Sequence, residues 1–265
     1  PYVCPPNLLR LIVMLNTNYA LRDLGISNAL SHDTLPRHRW YYVKEGFSPK
    51  LVEHAISIDG VNKGDVLIDP FSGSGTVTLT GTSLGYKTYS FEINPFLYFL
   101  SKTKLYQFSP SAFRKAGLKI LRETEKPVPS PLEGYSTFTK GNRWNRWLFP
   151  TSVLRSYEAG RRFIENFNEE QRSLLKLALL GAVMDCCNAT RDGKCLRYGK
   201  DWENNEVTAS KFREQLESRI NTIAIDLSDA PLKKNNSIIK NGDARRLIAS
   251  TIKDKFDLCV TSPPY

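Results

Sequence analysis

Asp65-Val66-Leu67-Ile68-Asp69-Pro70-Phe71-Ser72-Gly73-Ser74-Gly75-Thr76 is the stretch that decides the fold. Its first five residues read as a short buried strand, apolar between two carboxylates. The two glycines then let the backbone turn sharply and come close to a ligand. Residues 77–84 read as a helix closed by Gly85. Residues 86–91 form a second strand that ends at Glu92, and 95–106 a second helix. A strand, loop, helix and strand within about 30 residues begin a doubly wound α/β sheet.

In such a sheet a ligand lies outside the carboxyl ends of the strands, near a helix N-terminus. No Gly-Lys-Thr/Ser follows the loop, which disfavours a triphosphate-binding loop. Thr78 stands where a dinucleotide fingerprint has its third glycine. Glu92, 17 residues beyond Gly75, places a carboxylate at the end of the next strand, where it can accept hydrogen bonds from both ribose hydroxyls. The expected ligand therefore contains a nucleoside; the bland alternative is an ordinary strand-to-helix turn.

A second informative stretch is Thr261-Ser262-Pro263-Pro264-Tyr265, behind the apolar run 256–260. This stretch resembles the catalytic motif of amino-methyltransferases, whose target, an exocyclic amine on a base, has its lone pair delocalised into the ring and is a poor nucleophile. Acceptors for its hydrogens favour a more tetrahedral nitrogen. The Ser262 side chain and the Pro263 carbonyl suit that task, and two prolines fix the backbone that carries them. Tyr265 offers a stacking face. The alternative is a surface turn or a polyproline ligand.

Residues 69–76 resemble the S-adenosylmethionine-binding motif of DNA amino-methyltransferases, usually DPFxGSGT. Glu92-Ile93-Asn94 resembles their second motif. Phe47-Ser48-Pro49 is similar to the segment that packs on the methionine moiety. The resemblance implies a Rossmann-like S-adenosylmethionine-dependent methyltransferase sheet, with Glu92 on the ribose, Asp69 near the methionine amine and Phe47 over the cofactor. It also implies that Asp243, in Asn241-Gly242-Asp243-Ala244 at the end of a third strand, contacts the adenine amine. The cofactor set so implied is Phe47, Ser48, Pro49, Asp69, Pro70, Phe71, Ser72, Gly73, Gly75, Thr76, Glu92, Ile93, Asn94, Asp243 and Ala244. The catalytic set is Ser262, Pro263, Pro264 and Tyr265. A leading Ser resembles the cytosine-N4 enzymes, whereas a leading Asp or Asn is more typical of adenine-N6 enzymes. The expected reaction is thus methylation of cytosine N4 in DNA, as in a restriction-modification system. Adenine-N6 transfer, an RNA amine methyltransferase and a non-catalytic DNA-binding or assembly module are the alternatives. The target base must be flipped out of the duplex to reach such a pocket.

Such enzymes usually continue past the Ser-Pro-Pro-Tyr motif. The expectation is therefore a sheet incomplete at its C-terminal end, with little activity unless a second polypeptide or a continuation supplies further strands. The expected organisation is an N-terminal segment 1–43, a cofactor-binding half 44–106, a mostly helical basic insertion 107–236, and a return to the sheet at 237–265. Within it, 8–21 and 51–56 read as helical, 107–150 as irregular, 151–186 and 210–227 as helical, and 188–200 as a basic loop.

The chain has 265 residues, 41% of them hydrophobic, so it can bury a core without staples. Its formal net charge is +10, and residues 111–200 hold 17 Lys and Arg against 9 Asp and Glu. A polyanion such as DNA is the natural partner of that region. Arg191, Lys194 and Arg197 are the expected phosphate contacts, while Trp144 and Trp147 read as core. Five cysteines without a CxxC pair and three histidines argue against a metal site. No apolar run reaches the ~20 residues needed to span a bilayer. No secretory pattern is visible, so reduced thiols and a cytoplasmic location are expected.

Overall fold

The computed structural model describes residues 30–262 except 45, 142, 144, 193–194, 205–206, 233–236 and 253–254. In chain order the elements are α1 (Pro49–Asp59), β1 (Val66–Asp69), α2 (Thr76–Leu84), β2 (Lys87–Glu92), α3 (Pro95–Lys104), α4 (Pro110–Glu123), α5 (Thr151–Phe163), α6 (Glu169–Asp185), β3 (Ala189–Asp192), β4 (Cys195–Tyr198), α7 (Ala209–Asp229), β5 (Ile238–Asn241), α8 (Ala244–Thr251) and β6 (Leu258–Cys259). They fall into two compact units. One ends at Tyr106 and resumes at Pro231; the other is Gln107–Ala230.

The first unit is built on a four-stranded sheet in the order β5-β2-β1-β6, parallel throughout. The chain steps from β1 to β2 to β5, then returns to the far side of β1 as β6. The strand order therefore reverses between β1 and β6, which makes that crevice the topological switch point. Successive side chains on a strand face opposite ways. Leu67 and Leu258 pack with Val52, Ala55 and Ile56 of α1 and Val77 of α2. Ile68, Tyr89 and Phe91 pack with Ala244 and the half-buried Leu247 and Ile248 of α8. Apolar clusters on both faces explain why β1 reads as an unbroken apolar run from Val66 to Ile68.

Local chemistry sets the joints. Ser48 caps α1 by accepting from Lys50 N at 3.3 Å, with Pro49 in the first turn. Asn94 caps α3 by accepting from Phe96 N and Leu97 N at 2.9 and 3.2 Å. Gly81 lets α2 lie directly on the sheet, because a Cβ there would sit 2.7 Å from Thr88 Cγ2 and 2.9 Å from Leu67 Cδ1. Residues 30–40 also belong to this unit. Trp40 is buried, and the Arg37 guanidinium donates to the carbonyls of Lys104 and Tyr106 at 2.8 and 2.9 Å. Lys104 closes α3, where the helix leaves acceptors unmet, and Tyr106 lies two residues beyond it.

In the second unit α7 packs against α4, α5 and α6. Phe113, Ile120, Leu154, Leu174, Phe212, Leu216 and Ile220 are buried there. Gly117 admits Ile220, and Gly160 admits Leu179. Ser109, Asn168 and Thr208 cap α4, α6 and α7. Trp147 is buried and meets the Trp202 ring edge-on, with ring centres 4.4 Å apart.

Three expectations need correction. Residues 107–150 are not wholly irregular: Pro110–Glu123 is helical, with Phe113, Ala116, Gly117 and Ile120 on its buried face at helical spacing. The expected loop 188–200 contains an antiparallel hairpin, in which Arg191 pairs with Leu196 and Thr190 with Arg197. Its polar composition masks a strand pattern that shows only on pairing. The insertion ends at Ala230, because Leu232 is buried with Leu79 and Leu105 of the sheet unit. The expected helix at 8–21 lies outside the described residues. Among the described residues, no helix is long and apolar enough to cross a membrane.

Candidate functional site

Because the strands are parallel, the carboxyl ends of β1, β2, β5 and β6 share one edge of the sheet. The expected motifs meet there. Asp69 closes β1 and is buried. Its Oδ1 accepts from Phe71 N at 3.0 Å and from Thr261 Oγ1 at 2.8 Å. Its Oδ2 is buried and has no hydrogen-bond partner among the described residues. Burial pushes the Asp69 carboxyl up to about 7; the two hydrogen bonds oppose the rise and the charge of Glu92 adds to it.

Glu92 closes β2. Its Oε2 accepts from Gly73 N at 2.7 Å and its Oε1 from Asn94 N at 2.8 Å. One carboxylate thus ties the glycine loop to the second motif, and each oxygen keeps acceptor capacity for another donor. Gly75 is in the left-handed region at φ 84°, and a Cβ on it would sit 2.9 Å from Ser101 Oγ. Both demands require glycine. Phe71 and Ile93 are exposed apolar side chains near these strand ends.

The end of β5 is tied to the same place. Gly242 N and Asn241 Nδ2 both donate to the Glu92 carbonyl, at 2.9 and 2.8 Å. Asp243 caps α8 by accepting from Arg245 N at 3.0 Å. Hydrogen bonds from Arg245 hold the Asp243 carboxyl at about 2. Ala244, the first residue of α8, is buried beside Phe91. Phe47 is half-buried against the apolar cluster that includes Val77 and Val260, and its carbonyl accepts from the His32 ring at 2.9 Å. Ser48 and Pro49 are engaged in starting α1.

Ser262 follows Thr261, three residues beyond the end of β6 at Cys259. Pro263, Pro264, Tyr265, Lys194 and Trp144 lie outside the described residues, and of Arg191 only the backbone, in β3, is described. Arg197 is exposed on β4. Among the described residues, no group of three His, Cys, Asp or Glu is placed to hold a metal. The crevice lined by Lys102, Leu105, Tyr106 and Ser237–Ile239 sits where β5 begins, at the opposite end of that strand from Asp243.

Sequence reading misses three residues. Thr261 joins the last motif to Asp69. On α3, Ser101 Oγ donates to Gly73 O at 2.9 Å and Lys104 Nζ to Ser74 O at 3.0 Å. Lys104 is completely buried. A signal was present in α3, where Ser101 and Lys104 are three apart and therefore share a helix face.

A family profile described as D12 class N6 adenine-specific DNA methyltransferase matches residues 44–265. Over 259 residues the chain is 27% identical to the type II methyltransferase M.BsoBI of Geobacillus stearothermophilus, covering 86% of this chain and 49% of that protein. It is 23% identical to M.AvaI of Nostoc sp., covering 87% and 50%, and 25% identical to M.MvaI of Kocuria varians, covering 86% and 53%. The chain thus spans about half the length of these type II methyltransferases.

Proposed function

The chain belongs to the family of D12 class N6 adenine-specific DNA methyltransferases, and from that premise we propose that it transfers a methyl group from S-adenosylmethionine to an exocyclic amine of a DNA base. The observation that carries this reading is the hydrogen bond from Thr261 to Asp69. It brings the glycine loop and the Thr261-Ser262 segment together at the switch point.

The residues present fit the cofactor. The unpartnered Asp69 Oδ2 suits an amine. Glu92, held from both sides, suits a pair of ribose hydroxyls. The cofactor supplies a methyl group on a sulfonium, with a neutral thioether as leaving group. What the chain adds is placement: Ser262 and the Pro263 carbonyl accept the amine hydrogens, and Tyr265 stacks on the flipped base. Arg191, Lys194 and Arg197 neutralise DNA phosphates.

The family's description supports adenine N6 as the target. Ser262 at the head of the motif favours cytosine N4 as a second reading. Two measurements test the proposal. In calorimetry, S-adenosylhomocysteine should bind, and Glu92→Ala should weaken binding by about 1.5–3 kcal/mol, the range for charge-assisted hydrogen bonds. Binding of NAD with none of S-adenosylhomocysteine refutes the cofactor. Methyl transfer to DNA, followed by mass analysis of nucleosides, should yield N6-methyladenine; N4-methylcytosine selects the second reading. Label in RNA and none in DNA refutes both.

A further inference from the structure

We propose that Ser101 and Lys104 of α3 are positioning residues that clamp two consecutive carbonyls of the glycine loop and thereby aim the Ser74 N–H at the cofactor. The inference rests on the cofactor reading above and deepens it. Ser101 Oγ donates to Gly73 O at 2.9 Å, and Lys104 Nζ donates to Ser74 O at 3.0 Å. In a trans peptide the carbonyl and the following N–H point opposite ways. Holding the Gly73 carbonyl toward α3 therefore turns the Ser74 N–H away from α3. Four other N–H groups of the loop are already engaged: Phe71 N with Asp69, Ser72 N with Phe91 O, Gly73 N with Glu92 and Gly75 N with Ser72 O.

A fully buried lysine is costly unless something needs it. Among the described residues, His32 and His38 interact electrostatically with Lys104, and Arg37 holds its backbone carbonyl. Among the described residues no carboxylate pairs with it. Its one described acceptor is the loop carbonyl. Arg37 grips the carbonyl of Lys104 itself, so the N-terminal turns brace the clamp from behind. Asp69 and Glu92 stand at the loop's two strand ends.

The test is S-adenosylhomocysteine affinity against pH for the full chain, Ser101→Ala and Lys104→Met, each checked by its melting transition. Burial lowers the Lys104 ammonium to about 7, so its charge is lost as pH rises through that value. Asp69 gains charge over the same range in all three proteins, so the readout is the affinity relative to wild type at each pH. Lys104→Met should bind about tenfold more weakly at pH 6, with the gap closing as pH rises through about 7. Ser101→Ala should bind more weakly by a factor that does not change with pH. In the wild type, the Gly75 amide nitrogen resonance should titrate with a midpoint near 7, a readout that stands even if Lys104→Met does not fold. A flat Gly75 resonance, or affinities and pH profiles equal to wild type in both variants, overturns the inference and leaves the cofactor reading intact. Failure of the wild type to bind overturns both.

Discussion

Asp69 and Lys104 of the sheet unit are enclosed, and among the described residues neither meets an opposite charge; the ion pairs of the helical unit mostly lie at its surface. Arg155 pairs with Glu133, Arg219 with Asp185 and Lys211 with Glu214, each with at least one partly exposed member. Glu158 is buried but receives both Arg161 and Arg162. The contrast separates two uses of charge. Exposed pairs are screened and contribute little. Enclosed unpaired groups lower stability, and such perturbed groups gather where a ligand is to be met. The helical unit therefore behaves as an ordinary packed bundle, and the sheet unit as a site that gives up stability for placement.

The comparison can be broken from either side. If the helical unit is an ordinary core, Phe113→Ala should cost about 3–5 kcal/mol in unfolding free energy, the usual cost of emptying a buried aromatic site. A loss under ~1 kcal/mol, measured by denaturant titration, would mean that this unit is loosely packed.

Next in size is Asp69→Asn. The folded state raises this carboxyl from 3.8 to about 7. The native protein then holds a proton that the unfolded chain has released, so stability is full below about 3.8 and is lost as pH rises through about 7. The neutral amide should be the more stable protein at pH 8, by a few kcal/mol, with the gap closing toward pH 4. It should also lose S-adenosylhomocysteine binding. Equal stability at pH 8 would remove the claim that this unit trades stability for function.

The basic hairpin gives a smaller effect, spread over every DNA sequence. Replacing Arg191, Lys194 and Arg197 by Ala should flatten the salt dependence of DNA binding by about 0.9 in log–log slope per lost phosphate contact. An unchanged slope would mark the hairpin as a solvated face. Smallest of all is Lys211→Ala. Its pair with Glu214 is exposed, so stability should change by less than about 0.5 kcal/mol.

Legibility in the sequence follows the same division. Local signals placed β1, the glycine loop, α2 and β2 almost to the residue, because turn chemistry and strand burial leave marks over a few positions. Ser48-Pro49 foretold the start of α1 for the same reason. Helix α4 is marked by Ser109-Pro110 and its apolar spacing, but the prolines at 127, 129 and 131 give the segment as a whole an irregular pattern. The hairpin 189–198 was missed because pairing, and not composition, makes it a strand.

The amino-acid sequence alone determined that this is a parallel α/β sheet with a glycine loop at its edge, an acidic residue on the neighbouring strand and a helical, basic insertion. Those features depend on residue type and short spacing. Only the tertiary structure decided which distant groups touch. Thr261 reaches Asp69 across 192 positions, and Asn241 reaches the carbonyl of Glu92 across 149. Ser101 and Lys104 hold the loop 28 and 30 residues before them, and Arg37 braces the end of that same helix from 67 residues upstream. Such contacts are set by strand order and helix docking, which place side chains by geometry that no local pattern records.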